Sequence, residues 1–389
     1  MKPEDLVIST LEGDLPPRVP TFLAGIEDRT FKEAFGRKQV PGTKIRFKGV
    51  FDWVLDHVPA RISRPALQGI ITRMMAKRIE AGAMLGFDMT WGLYDETFIP
   101  VDANRMIRYS GSVYRIVNDG FGNLSYFYEG PGIRSKEALE NWEHWPDADK
   151  LARNTRDFYT RMVSRHGKKT CIAGQGPVYG LFESLLWAIG FANLASWMRK
   201  DPGSIRGYVA RLEEICSACY DAMLDAGIKV ILQTDDCGFK NGPLIDPEKL
   251  DAFFGPSYTR LIKQVHDRGG KFVLHSCGNN TVNFPRFIKW GVDGAHALEN
   301  TAGLDYEVLK GEFGDKLTLI GGVGIDHALS DRSTDAEVED EVRRVIQMMA
   351  PGGRFIIGNV HSEASVPASK LRVMLDAVGK HGTYPITFA

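Results

Sequence analysis

His275 and Cys277 stand two residues apart in Lys271-Phe-Val-Leu-His-Ser-Cys-Gly-Asn-Asn. An imidazole and a thiol are borderline and soft donors, and in an extended segment a spacing of two turns both to the same side. A short His-x-Cys also fits a packed histidine beside a small buried thiol, so a third donor has to decide. His361 follows the apolar run Arg354-Phe-Ile-Ile-Gly-Asn-Val and supplies it. Nitrogen, sulfur and nitrogen with a fourth position open are what a catalytic zinc requires. Glu363, two residues beyond, and Glu299, after the run Asp293–Leu298, are oxygen donors that could replace or supplement His361, which ranks first.

Asp235 and Asp236 form a second constellation, because adjacent carboxylates are costly to ionise together in a closed site. One of them, or Glu299, is expected to bind substrate or hold a proton, against the alternative that one caps a turn and the other is solvated. Trp91, Tyr94, Tyr179 and Phe239 follow or end apolar runs and are candidates to line a pocket for an apolar or aromatic substrate, although aromatic residues more often belong to a core. His327 is a site candidate of lower rank. Cys216-x-x-Cys219 lies within an amphipathic helical pattern and reads as core rather than as a redox pair. Dinucleotide fingerprints, phosphate loops and nucleophile elbows do not occur, which argues against nucleotide cofactors and serine chemistry.

Elements that would present these residues follow from periodicity. Short β-branched runs at Phe87–Trp91, Thr170–Gly174, Lys229–Thr234, Lys271–Ser276, Asp293–Leu298, Leu317–Gly322 and Arg354–Gly358 read as strands. Helical patterns over Ser204–Ala226, Pro247–Arg268, Thr334–Met349 and Pro367–Lys380 separate the later ones, most of them closed by glycine. Strand and helix in alternation, with no phosphate loop, predict an α/β (β/α)₈ barrel whose reactive groups gather where the strands end. Residues 1–80 read as a helical extension, with helical stretches at Thr30–Phe35 and Arg64–Ala83. Residues 81–389 read as the barrel, carrying a hairpin insertion at 105–130.

Forty-eight basic and 49 acidic residues give a formal charge of −1, so no nucleic-acid or anionic-membrane surface is expected. Neither a signal-peptide core nor an apolar run of membrane-spanning length occurs, and a cytoplasmic location is expected. Five cysteines, an odd number in 389 residues, read as reduced thiols rather than a disulfide framework.

In the segments Asp235-Asp-Cys-Gly-Phe-Lys-Asn-Gly-Pro-Leu-Ile-Asp-Pro-Glu248, His275-Ser-Cys-Gly-Asn279, Gly321-Gly-Val-Gly-Ile-Asp326 and Asn359-Val-His361 through His381, the chain resembles the uroporphyrinogen decarboxylase superfamily. Within it the likeness is to the zinc- and corrinoid-linked methyltransferases, and it covers most of the chain. The resemblance implies zinc on His275, Cys277 and a C-terminal ligand. Methyltransferases of the family place a cysteine there, whereas this chain has His361. The decarboxylases open with an arginine-rich stretch and lack His-x-Cys, and here only Pro17-Arg-Val-Pro20 stands near the start. Imidazole in place of a thiolate makes the metal site more positive by one charge, hence a stronger Lewis acid. The resemblance therefore implies a methyltransferase that demethylates a small methylated donor, methoxylated and of aromatic type, and passes the methyl to cobalt in a separate corrinoid protein. A methylcobamide-to-thiol methyltransferase and a metal-free decarboxylase are the alternatives. No cobalamin-binding Asp-x-His-x-x-Gly run is present, so the corrinoid belongs to a partner, and a homodimer is a family-level expectation.

Overall fold

A computed structural model describes residues 1–26, 28–36, 57, 60–102, 104–118, 124–177, 179–361 and 366–387. Glu363 lies outside the described residues.

Eight parallel strands close into a barrel: β1 (Thr21–Leu23), β2 (Met89–Leu93), β3 (Cys171–Gln175), β4 (Val230–Thr234), β5 (Lys271–His275), β6 (Gly294–Leu298), β7 (Thr318–Val323) and β8 (Phe355–Asn359). Each pairs with its neighbours in sequence, and β1 pairs with β8 through Thr21 beside Ile357 and Phe22 beside Gly358. The expected (β/α)₈ architecture is therefore present. Seven strands fall within a residue or two of the sequence reading.

The eighth corrects it. β1 lies inside the stretch read as a helical extension, so the barrel begins long before residue 81. Three residues after a proline-rich run are too few to show a period. Arg18 and Thr21 fix this strand by hydrogen bonds to the carboxylate of Asp88, at 2.6–2.9 Å, just ahead of β2. Helices Asp28–Phe35 and Ala60–Leu85 then lie between β1 and β2.

Alternation along the strands sorts side chains into two cores. Val230, Leu232, Val273, Ile320 and Ile356 point into the barrel with Phe22, Met89 and Ala173, where Val7 and Leu11 of helix Pro3–Glu12 plug one end. Their neighbours Ile231, Phe272, Leu274, Leu319 and Phe355 point outward into the larger core beneath the helices. Among the described residues no single helix is long and apolar enough to cross a membrane.

The insertion is larger than the expected hairpin. Four antiparallel strands, Phe98–Asp102, Arg105–Arg108, Ser112–Asn118 and Leu124–Pro131, form a meander between β2 and β3. Tyr128 docks it on the barrel, donating its hydroxyl to the Trp187 carbonyl at 3.0 Å with the two rings 4.6 Å apart.

Candidate metal centre

β5 directs Val273 and His275 into the barrel, and the chain beyond it carries Cys277 to the same side at the mouth. His361 arrives from the end of β8. Donor atoms of these three residues all lie within 4.8 Å of one another. His275 Nε2 is 3.2 Å from Cys277 Sγ, and Sγ is 3.8 Å from His361 Nε2. A tetrahedral zinc with bonds of roughly 2.0–2.3 Å has edges in this range, so the donor set fits the ion in chemistry and spacing.

Charge supports the fit. Burial pushes His275 down to about 3, with His361 adding to the effect, so the imidazole is neutral and has a lone pair to give. Burial pushes the Cys277 thiol up, and the carboxylates of Asp236, Glu183 and Glu299 raise it further. A thiolate among carboxylates is an excess of negative charge that a divalent cation would offset.

The two carboxylates nearest the donors flank the opening. Asp236 Oδ1 accepts from the Cys277 backbone N–H at 2.8 Å and lies 3.7 Å from His275 Nε2. Glu299 Oε2 lies 3.6 Å from His361 Nε2. Asp236, Cys277 and Glu299 form the floor of a cleft of about 790 Å³ walled by Tyr128, Trp187, Phe191 and Phe239. Its lower wall depends on a close backbone approach. Gly278, at φ +79°, packs against Gly238 so tightly that a Cβ would come within 2.7 Å of backbone atoms, and the Asn279 N–H donates to the Phe239 carbonyl.

Asp235 parts from Asp236 because the alternation of β4 continues past the strand end. Its side chain turns outward, is fully buried, and accepts from the backbone N–H groups of Phe182 and Glu183 and from the Tyr258 hydroxyl. Gly180 leaves room for this, since a Cβ there would sit 2.1 Å from the Asp235 side chain. Burial nonetheless holds the Asp235 carboxyl up at about 6. Asp235 thus secures the start of helix Leu181–Ile189, while Asp236 faces the cleft.

Of the four aromatic candidates, Phe239 alone lines this cleft, two-thirds exposed at its rim. Trp91 points into the barrel and packs on His275 at 5.1 Å, its indole N–H on Gln175. Tyr94, three residues on and so on the opposite face, lies in the outer core against Phe158. Tyr179 lies under the buried Arg108 guanidinium at 3.9 Å and helps to join the insertion to the barrel. His327 lines a neighbouring cleft that meets the first at Asp326.

Two residues close to the site escaped the sequence reading. His296 lies on β6 in register with His275, its Nδ1 2.6 Å from His275 Nδ1. Strand alternation gave a usable signal, since 294 and 296 share a face, before a register shift between Ala295 and Leu298 turns Leu298 to the outer core. Glu183 sits beside Asp235 and Asp236, its carboxyl pushed up to about 8 by burial and by those two charges, and receives the Trp187 indole N–H. Nothing in Leu181-Phe-Glu-Ser-Leu-Leu marks it as more than a polar position on a helix.

A family model described as uroporphyrinogen decarboxylase matches residues 131–381. No curated protein matches the sequence. Among solved structures the fold is similar to that of a methyltransferase from Methanosarcina mazei, with a TM-score of 0.66 at 15% identity over 98% of this chain and 99% of that one. A 3-keto-D-glucoside 4-epimerase from E. coli aligns with a TM-score of 0.37 at 10% identity, over 60% of this chain and 87% of that one.

Proposed function

The chain belongs to the uroporphyrinogen decarboxylase family, and on that premise we propose that it is a zinc-dependent methyltransferase that demethylates a small aromatic methyl ether and passes the methyl to cobalt in a separate corrinoid protein. The observation that carries this reading is the convergence of His275, Cys277 and His361, with Cys277 opening onto the floor of an aromatic-walled cleft. The Methanosarcina mazei methyltransferase, whose fold this one resembles along nearly the whole chain, agrees with it.

Bound at these donors, zinc would supply a Lewis acid that draws charge from an ether oxygen. Two imidazoles and one thiolate as ligands would offset only one of the two charges of zinc, which suits an oxygen better than three thiolates would. The residues of the chain perform the remaining tasks. Tyr128, Trp187, Phe191 and Phe239 offer an apolar surface against which an aromatic ring can pack. As the methyl carbon leaves, the C–O electron pair stays on the oxygen, and a proton from Asp236 or Glu299 completes the alcohol or phenol. The pair that forms the new carbon–cobalt bond comes from the reduced cobalt.

The test is direct. Zinc-loaded protein is mixed with cob(I)alamin and a methoxylated aromatic acid, and the conversion to methylcobalamin is followed by absorbance. Methylcobalamin formation that stops on chelation supports the proposal. If methylcobalamin is instead consumed by an added thiol and no ether reacts, the enzyme works toward a thiol acceptor. Activity on a carboxylated substrate that survives chelation would sink both readings in favour of a metal-free decarboxylase.

A further inference from the structure

His275 and His296 meet inside the barrel with their Nδ1 atoms 2.6 Å apart. At that distance one nitrogen donates and the other accepts. The opposite nitrogen of His275, Nε2, faces Cys277 Sγ at 3.2 Å and Asp236 Oδ1 at 3.7 Å, so it is the one turned toward the metal position. To act as a ligand Nε2 must carry no proton, which leaves the proton of His275 on Nδ1. His296 Nδ1 is then the acceptor, and its own proton sits on Nε2, 3.3 Å from the Asn359 carbonyl oxygen. Only this arrangement of protons satisfies both contacts.

The connection continues to the third ligand. Asn359 donates its side-chain amide to the His361 carbonyl at 2.6 Å, while its side-chain oxygen accepts from the Ala24 N–H. His275, His296, Asn359 and His361 therefore form one hydrogen-bonded series, anchored in β5, β6 and β8, that ties two of the three metal donors together. His296 is 2% exposed and His275 5%, and aromatic rings enclose them, Phe22 edge-on to His296 and Trp91 against His275.

We propose that His296 is a positioning residue of the metal centre, a neutral imidazole that accepts the Nδ1–H of His275 and fixes the tautomer that ligates through Nε2. The choice of acceptor has a chemical consequence. A carboxylate in this place would draw the proton toward itself and make His275 a more basic ligand. A neutral imidazole does so far less, so the metal keeps more of its charge for polarising a substrate oxygen. The inference rests on the metal reading above and extends it to the selection of an oxygen substrate.

Full-length wild type, His296→Asn and His296→Leu are compared for zinc affinity by competition with a chromophoric chelator. Histidine tautomers in the zinc-loaded wild type are read from ¹⁵N chemical shifts. Asparagine keeps an acceptor near the place of Nδ1, whereas leucine fills similar space without one. The expected result is Nδ1–H on His275 and Nε2–H on His296, with zinc affinity roughly 10–100-fold weaker in His296→Leu and within a few-fold of wild type in His296→Asn. Should His296→Leu fail to fold, the tautomers in wild type decide. A proton on His296 Nδ1 overturns the inference, as does equal zinc affinity in wild type and His296→Leu. Equal weakening in both variants also overturns it, because that is the mark of packing alone. Wild type that takes up no zinc at all fails the metal reading itself, and this inference with it.

Discussion

The two ends of the barrel are made of the same strands and treat their polar groups in opposite ways. At the closed end helix Pro3–Glu12 inserts Val7 and Leu11, the Thr318 hydroxyl donates to the Thr10 carbonyl at 3.1 Å, and Arg354 donates to the carbonyls of Leu11 and Glu12. Polar groups there end on fixed partners within the fold. At the mouth, the Cys277 thiol lies 3.8 Å from His361, and the two carboxylates lie 3.6–3.7 Å from the histidines. Those separations are too long for good hydrogen bonds and about right for groups that share a cation. The lesson is that in this fold reactivity gathers where donor atoms from different strands face one another at a distance too long for a good mutual hydrogen bond.

The sharpest way to break that contrast is to remove a donor. His275→Ala, Cys277→Ala and His361→Ala should each reduce zinc content from about one per chain and weaken affinity by more than the roughly 10–100-fold that loss of a supporting partner costs. Metal analysis of the purified proteins checks it. Retention of zinc by His361→Ala alone would hand the third position to Glu299. Next in size is Leu11→Ala at the closed end, a fully buried side chain whose truncation should cost about 2–5 kcal/mol in denaturant unfolding while leaving zinc stoichiometry at wild-type level. Loss of zinc in that variant would mean that the ends are coupled and the contrast is false.

A smaller effect of opposite sign at the two ends appears in pH dependence of the chelated protein. Glu183, at the mouth, has its carboxyl raised from 4.5 to about 8. Its contribution to stability is present below 4.5 and is lost as pH climbs through 8. Lys310, at the closed end, donates to the Gly353 carbonyl and is lowered from 10.5 to about 8, by burial first and then by Arg354. A lowered lysine contributes stability above 10.5 that is lost as pH falls through 8. Urea unfolding across this range should therefore show a minimum near the crossover. Glu183→Gln should flatten the acid limb alone, and Lys310→Met the alkaline limb alone.

How legible each region was in the sequence follows from the length of its signals. Strands of five or six residues bounded by glycine could be found, and so could His275 and Cys277, because a spacing of two within a strand fixes a face. The same rule, had it been carried past the strand ends, separates Asp235 from Asp236 and Trp91 from Tyr94, and it places His296 beside His275. β1 was hidden because three residues hold no period, and its place depends on Asp88, 67 positions away. The cleft walls were hidden for a related reason. Tyr128 comes from the insertion and Trp187 from the helix after β3, and only tertiary packing brings them to the cleft that Cys277 lines.

Phe239 offers the finest test of the contrast, because it belongs to the mouth yet has almost no part in the fold. Its ring is two-thirds exposed on a two-residue strand, Gly238–Phe239, that pairs with Gly242–Pro243. Truncation to alanine should change stability by no more than about 0.5 kcal/mol, as at other exposed positions. A ring that stacks on an aromatic donor is worth roughly 0.5–1.5 kcal/mol, so calorimetry should show methoxylated aromatic binding about 2- to 12-fold weaker in Phe239→Ala, with zinc affinity unchanged. The closed end predicts the reverse pattern for Leu11→Ala, which costs stability and spares binding. Unaltered donor affinity in Phe239→Ala would move the aromatic ring deeper, toward Trp187 and Tyr128, where the cleft wall is also part of the fold.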